Sequence, residues 1–239
     1  MALAAGLKKA KAIERCLLGA NRITDVGLAE LVRAISPDVL VLDLSQNKIT
    51  QEINLANNLL KVSSADALFR NARYSKHLRR LNLSKNKLTP ACLDALADMV
   101  EKSPTLEQLY IGTNYLSGKA GERIFGLLAG NKVLRVLDYS LNQLGDSGEL
   151  GCAKAIAECF RTNRALQHVD ISFNNFGKEA SEIIAEGIEP NKHIYGFHYR
   201  GNYGWVNSKG FLVLEEKQET LLDSIEQQRM NGFDVTVIR

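Results

Sequence analysis

The chain lacks any apolar run approaching the roughly 20 residues of a membrane span, so no membrane insertion is expected of its 239 residues. Its first residues, MALAAGLKKAKAIE, place their charges after a short apolar stretch, the reverse of a secretory signal. The four cysteines, Cys16, Cys92, Cys152 and Cys159, form no CxxC pair and no regular framework, which predicts reduced thiols in the cytosol. Cys152 and Cys159, seven apart on a helical stretch, read as core thiols. No metal-ligand spacing joins His77, His168, His193 and His198. A phosphate-cradling glycine loop and a nucleophile elbow are both missing, and paired carboxylates occur only as surface runs. No catalytic residue, metal or cofactor is therefore expected. The net charge of +3 is too small and scattered to argue for nucleic acid. No Pro/Gly/Ser-rich linker divides the chain, and 45% hydrophobic content suffices for one continuous core.

What the chain has is a phrase. In LDLSQNKITQEINLANNLL, residues 42–60, it occurs twice, eleven residues apart, as Leu42-x-Leu44-x-x-Asn47-x-Ile49 and Ile53-x-Leu55-x-x-Asn58-x-Leu60. The longer template, apolar-x-x-apolar-x-apolar-x-x-Asn-x-apolar, fits around Asn21, Asn47, Asn86, Asn114, Asn142, Asn174 and Asn202, with Gly204 breaking the last copy. The Asn-to-Asn spacings are 26, 39, 28, 28, 32 and 28. The apolar-x-apolar centre of each copy suits a short strand with alternate residues buried. The asparagine can satisfy backbone groups where the chain turns away. Thr24, Thr50, Thr89 and Ser117 then stand as N-caps, Pro90 at a first helical position, and helically spaced apolar residues follow. Such units bury their apolar faces only by stacking.

Over roughly residues 10–205 the pattern resembles leucine-rich repeats, and its 28-residue period resembles the ribonuclease-inhibitor-like subclass. The resemblance implies an α/β solenoid, or horseshoe, of about seven repeats, with a parallel sheet on the concave face and helices on the convex face. Strands are expected at 16–18, 42–44, 81–83, 109–111, 137–139, 169–171 and 197–199, in one sheet. Residues 1–205 would form the solenoid and 206–239 a C-terminal cap and helix.

Eleven residues cannot hold a strand, a helix and a return, so Asn47 and Asn58 cannot both open full repeats. Asn58 lies 28 residues before Asn86, but the strand phrase before Asn47 and Thr50 after it favour Asn47 as the ladder member. This makes about eleven residues within 51–63 an insertion between strand and helix. Four extra residues near Gly148-Glu149-Leu150-Gly151 occupy the corresponding place in a later repeat. Insertions on one rim often mark a binding face.

The residue between the two strand apolars should face the concave surface: Leu17, Asp43, Asn82, Tyr110, Asp138, Asp170 and His198 in turn. Arg80, Lys85, Gln108, His168 and Phe173 are expected on the same face. Aromatic residues among charges suit a protein interface, so the expected partner-binding residues are Arg80, Lys85, Tyr110, Asp138, His168, Asp170, Phe173 and His198. Asp at this position also reads as solubilising filler.

Aromatic residues gather near the end, where Trp205 and Phe211 suit a cap. Residues 214–229 read as a polar helix that caps or binds, and FDVTVIR as a strand. The bare N-terminus and the abrupt end predict a place in a larger assembly or a longer parent chain. The reading is a non-enzymatic scaffold or adaptor for a protein partner, cytoplasmic and suited to a cytoskeletal or signalling assembly. The alternative is a regulator of a small GTPase, since the Ran GTPase-activating proteins are built from similar repeats. Those proteins carry a long acidic tail, whereas this C-terminus has mixed charge.

Overall fold

The computed structural model describes residues 2–9, 15–18, 21–34, 41–43, 52–57, 60, 62–146 and 150–214. Among the described residues, ten short strands and seven α-helices follow one another in the order α1 (Ala2–Lys9), β1 (Arg15–Leu17), α2 (Asp25–Ala34), β2 (Val41–Asp43), β3 (Glu52–Asn54) and α3 (Val62–Ala72). Next come β4 (Arg80–Asn82), α4 (Leu93–Lys102), β5 (Gln108–Tyr110), α5 (Gly118–Leu128), β6 (Val136–Asp138) and α6 (Gly151–Thr162). The series closes with β7 (His168–Asp170), α7 (Lys178–Ile188), β8 (Gly196–His198), β9 (Trp205–Val206) and β10 (Leu212–Val213).

Strands β3 to β8 form one six-stranded parallel sheet in strict sequence order. Parallel neighbours need a crossover, and each helix from α3 to α7 supplies one. The middle residue of each strand, Ile53, Leu81, Leu109, Leu137, Val169 and Phe197, is buried. Helices α4 to α7 meet them with Leu96, Met99, Ile124, Phe125, Ile156, Phe160 and Ile184. The flanking strand residues stay partly exposed along the other face from β4 to β7.

One expectation fails here. Strands β1 and β2 pair with each other in a separate two-stranded sheet, and the first strand of the main sheet is β3, from the second copy of the doubled phrase. Glu52, Ile53 and Asn54 stand in register with Arg80, Leu81 and Asn82, 28 residues on. The extra residues thus fall between β2 and β3 rather than between strand and helix within 51–63. Both phrases make strands; equal spacing to the next rung decides which one enters the sheet. Asn47 and Asn58 themselves, with Thr50, lie outside the described residues.

The turn that leaves each rung has one geometry. Asn57, Lys85, Thr113, Leu141, Phe173 and Gly201 all have positive φ, between 51° and 74°. Their N–H groups hand the ladder on: Asn57 to the Ser84 carbonyl, Lys85 to Gly112, Thr113 to Ser140, Leu141 to Ser172 and Phe173 to Arg200. Only Asn57 and Gly201 are residue types at ease there. The other four hold a conformation that costs on the order of 1 kcal/mol or more each, because the ladder on both sides fixes it.

Helix starts differ from the expectation in detail. Thr89 and Ser117 occupy N-cap positions with extended backbones but make no side-chain capping bond. Thr24 does accept a bond from the Gly27 N–H, at 3.4 Å. Pro90 opens a 3-10 turn, Pro90–Cys92, that leads into α4. At the far end β9 and β10 pair as an antiparallel hairpin. Leu212 of β10 is buried in the solenoid core and Val206 packs against it. The expected helix over 214–229 and the FDVTVIR strand lie beyond the described residues.

Two buried tyrosines in this core call for opposite outcomes. The Tyr199 hydroxyl lies 2.8 Å from Ser181 Oγ, whereas the Tyr139 hydroxyl is buried without a partner. Burying an unpaired hydroxyl is costly, and removing it relieves that cost. Tyr139→Phe is therefore expected to leave stability equal or raise it by about 1 kcal/mol, and Tyr199→Phe to lower it by about as much. Urea titrations of both variants check the pair.

Candidate functional site

The sheet register brings the expected residues into two rows. One row runs Asn54, Asn82, Tyr110, Asp138, Asp170, His198, and the other Glu52, Arg80, Gln108, Val136, His168, Gly196. Side chains two apart on a strand share a face, so both rows line the concave surface. Lys85 and Phe173, expected on that surface too, stand instead in the left-handed turn that follows the strand, on the rim.

The strip divides into two clusters. On β4 and β5 the Arg80 guanidinium lies 4.9 Å from the Tyr110 ring centroid. The Tyr110 hydroxyl donates to Gln108 Oε1 at 3.0 Å, and Arg80 reaches Glu52 at 4.0 Å. A cation over a ring contributes about 0.5–1 kcal/mol at an exposed site, and here it also holds the ring in place. Tyr110 is therefore a preset, half-buried aromatic surface.

On β6 to β8 sit Asp138, Asp170, His168 and His198. The two imidazoles lie 4.7 Å apart between centroids. Gly196 makes this possible, since a Cβ there would stand 2.2 Å from His168 Nδ1. Burial and the neighbouring His198 hold the His168 pKa down, against the pull of Asp170 and Asp138. Burial pushes the Asp138 pKa up, opposed by two bonds from Ser140. Gly112 leaves room for this carboxylate, which a Cβ would meet at 2.8 Å.

The strand-end carboxylates also have a structural task. Asp138 Oδ1 accepts from the Ser140 N–H at 3.0 Å, and Asp170 Oδ1 from the Ser172 N–H at 2.8 Å. Asn82 and Asn54 make the same bond to Ser84 and Ala56. These local side-chain turns end the strand. They need an Asp or Asn oxygen but no charge, so the charge at 138 and 170 is extra to the fold.

The asparagines form a ladder behind the rim. Asn86 Nδ2 donates to the Leu55 and Leu83 carbonyls, and its Oδ1 accepts from the Leu60 N–H. Asn114, Asn142 and Asn174 repeat the scheme one rung on each time. Asn202 closes it, accepting from the Phe176 N–H while donating to Ile171 and Tyr199 carbonyls. Asn21 stands apart at an exposed position and donates to the Leu18 carbonyl.

A second ladder, unforeseen, runs along the opposite rim, where helices return to strands. Ser75, Asn131, Asn163 and Asn191 accept from backbone N–H groups two and three residues on. The asparagines also donate to carbonyls near the end of the helix one repeat earlier, Val100, Leu128 and Phe160. Ser103 holds the remaining rung, buried, with Oγ unpaired. Their spacings, 28, 28, 32 and 28, repeat those of the first ladder. That was the available signal, hidden because the series changes from serine at 75 and 103 to asparagine at 131, 163 and 191. Two exposed apolar rim residues also went unforeseen, Leu141 and Tyr115, 49% and 51% exposed against 37% for Phe173.

The four cysteines are buried. Burial raises the Cys92 pKa to about 11 and those of Cys152 and Cys159 to about 12, so they stay protonated thiols. Among the described residues no helix is long and apolar enough to cross a membrane, and no group of three or more His, Cys, Asp or Glu could hold a metal ion.

Comparison with known proteins gives sequence matches to a family model described as Leucine Rich repeat, at residues 74–97 and 162–180. No curated protein matches the chain. Similar solved structures include a tropomodulin C-terminal domain from Caenorhabditis elegans, 23% identical, with a TM-score of 0.47, covering 59% of this chain and 83% of that one. The leiomodin-1 segment named actin-binding site 2 is 18% identical, TM-score 0.48, covering 58% and 81%. An internalin from Listeria monocytogenes is 13% identical, TM-score 0.28, covering 84% and 88%. With the family match falling on two separate turns of one continuous parallel ladder, the fold is an α/β leucine-rich-repeat solenoid.

Proposed function

We propose that the chain is a non-catalytic scaffold of the ribonuclease-inhibitor-like kind that binds another protein along its concave strip and strand-to-helix rim. It would work in the cytoplasm, within a cytoskeletal or signalling assembly. The observation that carries the reading is the preset aromatic–charged row, in which Tyr110, steadied by Arg80 and Gln108, stands in register beside Asp138 and Asp170. Tyr and Arg are enriched at interface centres, with charged and polar groups at the rim. Neither Arg80 nor the carboxylate charges are needed to close the core.

The test is affinity capture from native cell extract with the native chain and with Tyr110→Ala/Phe173→Ala, each recovered protein being quantified. Actin is the first species to score, since the leiomodin-1 segment is named for binding it. Truncating a central aromatic anchor costs about 2 kcal/mol or more, so recovery of a true partner should drop roughly thirtyfold. Equal recovery by both proteins contradicts the site.

A further inference from the structure

Two rungs of the left-handed turn ladder differ from the rest. At Leu141 and Phe173, with φ of 51° and 55°, the chain holds large apolar side chains in a conformation suited to Gly or Asn, and leaves both exposed. The equivalent positions elsewhere are Asn57, Lys85, Thr113 and Gly201. Leu141 keeps about half of its surface exposed and Phe173 more than a third, so each offers apolar surface at the rim. Gly201 leaves space for the Phe173 ring, which a Cβ there would meet at 2.3 Å, so the fold shapes itself around an exposed phenyl group. Tyr115, on the turn of the preceding repeat, extends the apolar rim.

The same two rungs carry the two aspartates of the strand-end row, three residues earlier, in DYSLN (138–142) and DISFN (170–174). Asp138 and Asp170 are register partners on adjacent strands. Among the described residues neither is in an ion pair with Lys or Arg; each uses one oxygen on its own turn. Carboxylate and exposed apolar group are thus doubled side by side, with the imidazoles of His168 and His198 next to the carboxylates and, among the described residues, no Lys or Arg paired to them.

Resting on the binding reading above, we infer that β6 and β7 with their turns form the recognition centre for a basic–apolar segment of a protein partner. One Lys or Arg of that segment would lie over the Asp138/Asp170 pair. A Leu, Met, Phe or Trp beside it would pack on Leu141 and Phe173. The carboxylate pair selects the sign of the partner's charge, and the strained rungs supply the apolar anchor. Residues kept in a conformation they disfavour mark a site that has traded stability for contact.

The probe is a phage-displayed library of random twelve-residue peptides, selected on the full chain and re-screened on three variants. Leu141→Asn/Phe173→Asn replaces the anchors with a residue type that suits the turn, as Asn57 does. Asp138→Asn/Asp170→Asn keeps the turn bond, as Asn54 and Asn82 do, and removes the charge. Tyr110→Ala reports on the neighbouring part of the strip. Selected peptides are expected to pair Lys or Arg with a large apolar residue. They should lose at least tenfold in affinity on the anchor variant while its thermal midpoint holds or rises. On the charge variant they should lose affinity and most of their salt dependence. Acidic peptides, or no enrichment, overturn the inference. Peptides weakened by Tyr110→Ala but indifferent to the other two variants overturn it while leaving the wider site standing. Peptides indifferent to all three overturn both.

Discussion

Asn163→Ala is expected to destabilise the protein more than any conservative change at a surface side chain. Asn163 is 2% exposed and sits where α6 turns back toward β7. Its Nδ2 donates to the carbonyls of Leu128 and Asn131, and its Oδ1 accepts from the N–H groups of Ala165 and Leu166 at 2.7 Å each. Alanine supplies none of these partners and leaves a void too small to hydrate all of them. Each buried group left unpaired costs about 1–3 kcal/mol, and partial relaxation brings the sum to about 3–5 kcal/mol. For a domain of this size that lowers the thermal midpoint by roughly 6–20 °C. Calorimetry of Asn163→Ala beside Asn21→Ala, the exposed asparagine that stands apart from the first ladder, checks the assignment. Similar losses in both would show that burial of the ladder does not matter.

The second large effect concerns sign. Replacing a glycine inside a helix by alanine ordinarily gains about 0.5–1 kcal/mol from backbone entropy. Gly126 of α5 is exposed, with nothing within 4 Å of an added Cβ, so Gly126→Ala should show that gain. Gly187 of α7 is different, because its Cβ would stand 2.4 Å from Ala157 Cα and 2.7 Å from the Ala157 carbonyl oxygen of α6. The obstacle is mostly backbone and cannot swing away. The helices must separate, which loosens contacts along the α6–α7 interface. Gly187→Ala should therefore lose about 2–4 kcal/mol, somewhat above the usual range for overpacking. Denaturant titration of both variants decides it. A gain at both positions would mean that α6 and α7 do not approach as described.

From residue 78 on, the rungs were legible because leucine, isoleucine and valine recur at strand spacing and the asparagine closes each phrase at a near-constant interval. The first repeats were not, for a physical reason. Residues 41–43 and 52–54 both satisfy the alternation a short strand requires, and local pattern does not decide which of them joins the main sheet. That depends on register, and only 52–54 lies one full 28-residue turn before β4. Thr50 was an N-cap by composition alone, and the capping residues at 89 and 117 show how little that guarantees.

Within the proposed site, the outward placement of Tyr110, Asp138, Asp170 and His198 followed from alternation on a strand, since every second residue must face outward. The turn ladder did not follow. Leucine and phenylalanine give no local sign of a left-handed backbone, which the hydrogen bonds of the adjoining rungs impose on them. Leu141 was invisible as a surface residue for that reason, and Phe173 was placed on the strip instead of the rim. The structural use of Asp138 and Asp170 was equally hidden, because an aspartate that ends a strand looks in sequence like any other exposed carboxylate.

The measurement that bears most directly on the binding reading is photo-crosslinking from defined positions in native extract. A benzophenone side chain is placed singly at Tyr110 and Leu141 on the concave strip and rim, and at Gly126 and Glu158 on exposed helix positions. Binding along the strip and rim predicts the same discrete partner adduct from 110 and 141 and none from 126 or 158. Adducts confined to 126 and 158, with none from 110 and 141, would place the partner on the helices and contradict the reading.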